Sequence, residues 1–333
     1  MLSAMAKVTK FSVLALFWFA SVWSGAAAEP PFTIAVIPKG TTHEFWKSIN
    51  AGAVKAEQEC NAQGTKVKII WKGPLREDDR DQQIQVVENF TTRHVSAIVV
   101  APLDSQALVR PVNNAVAAGV PVVIIDSDLK SDKYVSFVAT DNFKGGQLAA
   151  AEMGKLLDGK GNVILLRYAV GSASTEAREA GFLGGLKKYP GIKLISSDQH
   201  AGATRESAYQ VSQNLLNRFG REVNGVFCVN EPSTIAMTKA LRDIGLAAGK
   251  VKMVGFDAGS QSVMDMKNGD LQAMVVQNPM GMGYLGVMTA VKHLRGEKVE
   301  KRIDTGVVLV TKENMDKPDI KGLLHPPLDK YLK

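Results

Sequence analysis

From residue 32 onward the chain alternates between short apolar runs rich in β-branched residues and longer stretches whose apolar positions recur every three or four residues. The run "FTIAVIP" precedes an amphipathic stretch over 43–63, "KVKIIWKG" one over 79–94, and "SAIVVAP" one over 104–118. "PVVIIDS" and "VSFVATD" follow, then a helical pattern over 143–158. The second half repeats the scheme: "NVILLRYA" and 173–189, "IKLISSDQ" and 204–219, "GVFCVN" and 232–246, "KMVGFDAG" and 260–268, "LQAMVVQNP" and 280–295. Continuously apolar strands separated by helices predict parallel sheets covered on both faces. Two such sets in succession predict two three-layer α/β lobes.

The first 28 residues do not fit this alternation. In "MLSAMAKVTKFSVLALFWFASVWSGAAA", Lys7 and Lys10 precede an apolar run from Phe11 to Trp23, and Ala26 and Ala28 flank a cleavage point. That pattern predicts a secretory signal peptide over 1–28, removed on export. The alternative is an uncleaved anchor, against which the run is shorter than the ~20 residues of a spanning helix. No cysteine follows it to carry a lipid. The roughly 305 residues that remain exceed the ~100–200 of one domain and suit two lobes.

Composition removes several functions. The formal charge is +7. The basic residues are spread along the chain, which describes a solvated surface and no nucleic-acid partner. Cys60 and Cys228 sit in segments assigned to different lobes and are expected as two buried free thiols. The histidines, His43, His94, His200, His293 and His325, lack ligand spacing and are expected at the surface or the edge of the core. There is no G-x-S-x-G elbow, no H-E-x-x-H, no phosphate-binding G-x-x-x-x-G-K-[ST] and no strand-linked G-x-G-x-x-G. The expectation is a binding protein without metal or cofactor, and not an enzyme.

Several apolar runs end on a polar residue: Lys39 after "IAVIP", Asp126 after "VVII", Asn230 after "FCV", Asp257 after "MVGF" and Gln277 after "MVV". Ligands of open α/β sheets bind beyond the carboxyl ends of the strands, so these residues could converge on one cleft. The alternative for each is a helix cap. Phe45 and Trp46 stand at the mouth of a strand-turn-helix opening, "VIPKGTTHEFWKSINAGA", whose single glycine, Gly40, is too little for a phosphate cradle. Aromatic faces beside hydroxyl and ammonium groups suit a sugar or polyol, the alternative being hydrophobic core.

The segments "EFWKSINAGA", "GVPVVIIDSD", "FVATDNFKGGQLAA", "TEAREAGFLGGL", "MVGFDAGSQSVMDMKNGDLQAMVVQNPMGMGYLGV" and "GEKV" resemble, in order and spacing, the periplasmic sugar-binding proteins of ribose type. These are type I solute receptors of ABC importers. The resemblance implies two Rossmann-like lobes with parallel sheets and a three-segment hinge, crossing near Thr140–Asp141, Gln277–Asn278 and Asp304–Gly306. The lobes are then 29–140 with 278–305, and 141–277 with 306–333.

The same resemblance assigns roles. Phe45 and Trp46 match an aromatic pair that stacks on the sugar, Asp126 and Asp257 hydroxyl acceptors, Arg178 a guanidinium clamp, Asn230 an amide of the far lobe and Gln277 the hinge amide. A surface ion pair with Glu179 is the alternative for Arg178. Departures from the pattern are Ser127 in place of a second clamp, small residues around Ala203 in place of an aromatic, and Glu231-Pro232 after Asn230. They argue against ribose itself. "IPK" at 37–39, "WKGP" at 71–74 and "DSD" at 126–128 also resemble the near lobe of autoinducer-2 receptors, which makes Lys39, and more weakly Trp71 and Lys72, ligand candidates.

The implied partners are a small sugar or polyol and an ABC permease of the inner membrane, with the receptor a monomer. The alternative is a periplasmic sensor for a sugar-like signal such as autoinducer-2, acting through a chemoreceptor or histidine kinase. An exported α/β enzyme acting on sugars is a further reading. With no histidine among the proposed contacts, affinity is expected to be insensitive to pH near neutrality, the alternative being that His43, close by in sequence, belongs to the site.

Overall fold

The computed structural model describes residues 31–332. The predicted signal peptide lies outside them. The first set of elements is β1 (Phe32–Ile37), α1 (Glu44–Ala62), β2 (Val67–Trp71), α2 (Arg80–Thr92), β3 (Ala97–Val100), α3 (Val109–Ala117), β4 (Val122–Ile125) and β5 (Ser136–Ala139). The second is α4 (Asn142–Leu156), β6 (Lys160–Leu166), α5 (Ala173–Leu186), β7 (Gly191–Ser196), α6 (Arg205–Phe219), β8 (Gly225–Cys228), α7 (Glu231–Asp243), β9 (Lys252–Phe256), α8 (Ser260–Asn268) and β10 (Ala273–Gln277). The chain then returns through α9 (Pro279–Leu294) and β11 (Arg302–Asp304), and ends with β12 (Val307–Thr311) and α10 (Pro318–Leu324).

These strands make two sheets, ordered β11-β5-β4-β3-β1-β2 and β12-β10-β9-β8-β6-β7. The lobes repeat one topology: β1 and β6, β3 and β8, β4 and β9, β5 and β10 occupy equivalent places. The chain passes between the sheets after β5, after β10 and after β11. Each sheet is buried on both faces, the first under α1 and α9 on one side and α2 and α3 on the other. The second is covered by α4 and α5 on one side, and by α6, α7, α8 and α10 on the other. That double cover is why the strands read as unbroken apolar runs.

The structure differs from the expectation in four places. Helix α3 begins at Val109, because the Asp104 carboxylate accepts the N–H groups of Gln106 and Ala107 and holds 104–107 as a turn. Strand β12 pairs antiparallel with β10, the one such pair in two otherwise parallel sheets among the described residues. β11 and α10 are short and carry charged residues at exposed positions, so no apolar run marks them. β12 is itself an apolar run, "VVLVT", but it lies after the last strand-helix pair of the alternation. A last short helical turn, Leu328–Lys330, packs back on α1 of the first lobe instead of staying with the second. Cys60 and Cys228 are buried free thiols, as expected.

Helices α4 and α5 lie in backbone contact across small residues. A methyl group added at Gly146 would stand 2.0 Å from the carbonyl oxygen of Arg178, and one at Gly283 of α9 would stand 2.0 Å from that of Ile49 in α1. Both contacts set where the N-terminal half of a helix enters the space between the lobes. Overpacking of this kind typically costs ~1–3 kcal/mol. Gly146→Ala is therefore expected to lower the urea unfolding midpoint by a corresponding amount; an unchanged midpoint would show that α5 can move freely and that its position is not fixed by this contact.

Candidate functional site

The strand ends of both sheets open toward one another. Lys39 lies just beyond β1, Asp126 directly follows β4, Asn230 caps α7 after β8, Asp257 directly follows β9, and Gln277 ends β10. Phe45 and Trp46 belong to the first turn of α1, and Arg178 to α5. All of these residues line one cavity between the lobes. Trp71 and Lys72 do not; Trp71 packs against the core on the α1 side of the first sheet.

Inside the cavity the charges are paired. Lys39 Nζ lies 3.1 Å from Asp126 Oδ2 and donates to the hydroxyls of Ser172 and Ser174 on the second lobe at 3.3 and 3.1 Å. It is buried, not exposed at a turn. Arg178 is buried too, so its surface pairing with Glu179 does not occur; Glu179 pairs with Arg167 instead. The guanidinium donates from Nε to Asn142 at 2.8 Å and from Nη1 to the Val229 carbonyl at 2.8 Å. It lies 3.8 Å from the centroid of the Phe256 ring and faces Asp257 at 3.7 Å.

Gln277 donates to Asp257 at 2.6 Å, while its own buried carbonyl oxygen has no partner. Burial pushes the Asp257 carboxyl up to about 6, against the opposing pull of Arg178 and the Gln277 hydrogen bond. Asp126 and Asp257 both have left-handed backbone, with φ of 61° and 69°. Aspartate tolerates that region better than most residues, and such outliers gather at ligand sites.

The aromatic pair serves two purposes. Phe45 and Trp46 meet edge to face at 5.0 Å, and Trp46 belongs both to the cavity wall and to the core beneath it. Its indole Nε1–H donates to Glu77 at 2.6 Å. Glu77 comes from the loop after β2 and also accepts the Tyr168 hydroxyl of the second lobe at 2.7 Å.

Other contacts join the lobes. Ser127 accepts the N–H of Ser174, Glu231 accepts that of Phe45, and Glu44 accepts both the N–H and the hydroxyl of Ser260. The lobes thus meet closely, and the cavity holds about 30 Å³, room for a water but not for a sugar ring. Wider clefts of about 660 and 530 Å³ open outside it, both bordered by Arg76, Ala203 and Thr204.

Sequence reasoning missed Glu77, Tyr168, Ser174, Thr175 and Glu231 of the lining. Tyr168 follows β6 as Lys39 follows β1, so the strand-end rule extended to "LLRY" would have found it. Glu77 sits in the highly charged loop "REDDRD", where nothing marks one carboxylate over another. His43 is a correction: it was expected at the surface or core edge, yet it is buried in the cavity wall 3.5 Å from Glu77, while His94, His200, His293 and His325 are exposed. His43 is the histidine whose place in the sequence stood against a pH-insensitive site, and it lines the cavity.

Comparison with known proteins gives the same picture. The sequence profile of the Periplasmic binding protein domain family matches residues 34–298. A carbohydrate transporter solute binding protein from Agrobacterium radiobacter, solved in complex with D-arabinose, superposes with a TM-score of 0.84 at 35% identity, covering 89% of this chain and 100% of that one. An ABC transporter solute binding protein from Agrobacterium vitis with bound D-fucose gives 0.83 at 37% identity, covering 88% and 100%. The Ribose import binding protein RbsB of Bacillus subtilis is 30% identical over 87% of this chain and 90% of its own.

The raised pKa of Asp257 has a consequence for stability. The folded chain holds this proton up to about pH 6, whereas an unfolded aspartate releases it near 3.9. The group's contribution is therefore fully present below pH ~4 and is lost as pH rises through ~6. Asp257→Asn, which cannot ionise, should gain on the wild type by about 2 kcal/mol between pH 4.5 and 7 when urea unfolding of the two is compared. A constant difference across that range would mean that Asp257 is no harder to ionise in the folded protein than in the unfolded chain.

Proposed function

The chain belongs to the Periplasmic binding protein domain family, and from that premise we propose that it is the receptor of an importer, binding a neutral sugar or polyol between its lobes and delivering it to an ABC permease of the inner membrane. It carries out no chemistry on its ligand. It is exported, its leader is removed, and it works in the periplasm as a monomer. The observation that carries this reading is the convergence of Lys39, Phe45, Trp46, Asp126, Arg178, Asn230, Asp257 and Gln277 on one cavity between the lobes.

The chemistry of the lining supports a neutral ligand rich in hydroxyls. Four carboxylates, those of Glu77, Asp126, Glu231 and Asp257, face two cations, Lys39 and Arg178, within the lining. Both cations are already engaged. The buried Gln277 oxygen lacks a donor. What this site lacks is hydrogen-bond donors, which hydroxyl groups supply, whereas a sugar acid or phosphate would add negative charge to a surplus of it. The half-buried Phe45 ring offers a face to the C–H side of the sugar at little entropic cost. Entry requires the lobes to part, since the cavity between them is far smaller than a sugar.

Lys39 favours a second reading, in which the ligand is a furanose signal of autoinducer-2 type and the partner a chemoreceptor or sensor kinase. Its buried place beside Asp126 fits a residue that touches ligand.

A thermal-shift screen of pentoses, hexoses, inositols, polyols and autoinducer-2-like furanoses separates these readings, because a ligand of the folded form raises its melting temperature. We expect a pentose or hexose to give the largest shift. Asp126→Asn should weaken binding of that sugar by ~2–5 kcal/mol in calorimetry, the range for removing one partner of a buried charge-assisted hydrogen bond. Undiminished affinity in that variant, or a screen in which only furanose signals bind, would overturn the sugar-importer reading.

A further inference from the structure

Glu77 stands where the wall of the central cavity meets an outer cleft, and both of its oxygens are engaged by protein. On its own lobe the Trp46 indole N–H holds Oε1 at 2.6 Å, with His43 Nε2 at 3.5 Å from the same oxygen. From the second lobe the Tyr168 hydroxyl donates to Oε2 at 2.7 Å. Glu77 and Tyr168 are only 8% and 3% exposed, so water does not compete for these bonds. Burial and the facing carboxylate push the Tyr168 pKa well above its ordinary value, which keeps the hydroxyl a donor. Gly40 leaves space for the loop, since a methyl group there would lie 2.9 Å from Glu77 Cγ.

Among the described residues, the other carboxylate that spans the lobes through a side chain–side chain bond to a hydroxyl, Glu44 with Ser260, makes that bond at the exposed surface, where water replaces the lost bonds as the lobes part. The buried Glu77 bond has no such substitute until the cleft opens enough to admit water. Separation of the lobes must break the Tyr168 bond but leaves the Trp46 anchor in place, because Trp46 and Glu77 ride on the same lobe.

We propose that Glu77 and Tyr168 form a buried latch between the lobes, anchored by the indole N–H of the cavity-lining Trp46, and that the Glu77–Tyr168 bond holds the cleft closed over the ligand without itself making a contact to it. The inference rests on the receptor reading given above. Glu77 and Tyr168 are positioning residues. Their bond exists only in the closed form, so it acts on the rate at which a bound sugar escapes and leaves the rate of encounter alone. It acts equally on every sugar the site accepts.

The test uses Tyr168→Phe, which keeps the ring that fills the wall and removes only the hydroxyl, with stopped-flow kinetics on D-ribose, D-arabinose, D-fucose and D-allose. Dissociation of each sugar that binds should quicken by about tenfold, the scale of a lost hydrogen bond to a charged group, with association changed by no more than about twofold. The factor should be the same for every sugar. Glu77→Gln, which removes the charge that strengthens the bond, combined with Tyr168→Phe should dissociate little faster than Tyr168→Phe alone, since without the hydroxyl no Glu77 bond to the second lobe's Tyr168 is left to weaken.

Unchanged dissociation, additive effects, or a factor that differs between sugars would overturn the latch, the last because it would place the hydroxyl on the ligand. A wild-type protein that binds none of these sugars defeats the neutral-sugar reading but not the latch. Small-angle scattering of the sugar-free proteins then decides: a larger radius of gyration in Tyr168→Phe supports it, and equal radii overturn it.

Discussion

A charge taken out of water must be met by partners, and the space between the two lobes is organised around that requirement. Each lobe sends one aspartate into it from the same topological place, Asp126 after β4 and Asp257 after β9. Each meets a cation from the first strand-helix connection of its own lobe or the helix that follows it, Lys39 beyond β1 and Arg178 on the helix after β6. Both aspartates carry left-handed backbone, which turns the carboxylate inward from the strand end. The repetition shows one constraint solved twice by one topology, with different side chains in the cation's role.

That solution needs helices placed to within the length of a side chain. Arg178 reaches Asn142, the Val229 carbonyl and Asp257 together because α5 is pressed onto α4 at backbone distance, and α1 is pressed onto α9 in the same way. The small residues of "NFKGGQLAA" and "EAGFLGGL" thus contribute to the site without lining it. Arg178 also stiffens the place where the chain crosses between lobes, since Asn142 bonds in turn to the carbonyl of Thr140. The Arg178 guanidinium and the crossing at Thr140 are thus joined in one hydrogen-bonded chain.

How much of this could be read beforehand follows from how local each signal was. The parallel sheets were legible because burial on both faces writes itself as runs such as "AIVV" and "VVII", and the strand ends Lys39, Asp126, Asn230, Asp257 and Gln277 were legible because a polar residue interrupts each run. Arg178 was not, since a mid-helix arginine looks the same whether it faces water or a neighbouring lobe; only resemblance to a family marked it. Glu77 and Tyr168 were hidden for a related reason: their meaning lies in a contact between residues 91 positions apart. His43 was expected nearer the surface because its neighbours Thr41, Thr42 and Glu44 are polar, whereas it is buried beside Glu77, 34 positions away, in a contact that no local pattern marks.

The crowding of the cavity bears on how such a site couples binding to movement. In the closed form Lys39 is satisfied by Asp126, Ser172 and Ser174, two of its three partners coming from the opposite lobe. A sugar that enters must take over bonds the lobes now make to each other, and its hydroxyls can do so because each is both donor and acceptor. The exchange is nearly balanced in the number of bonds, so the net gain must come from the groups left wanting, the Gln277 oxygen above all, and from aromatic surface removed from water. A ligand unable to fill those needs displaces contacts without replacing them and leaves buried charges uncovered. Selectivity in this arrangement lies less in attraction to the correct ligand than in the cost of parting the lobes for the wrong one.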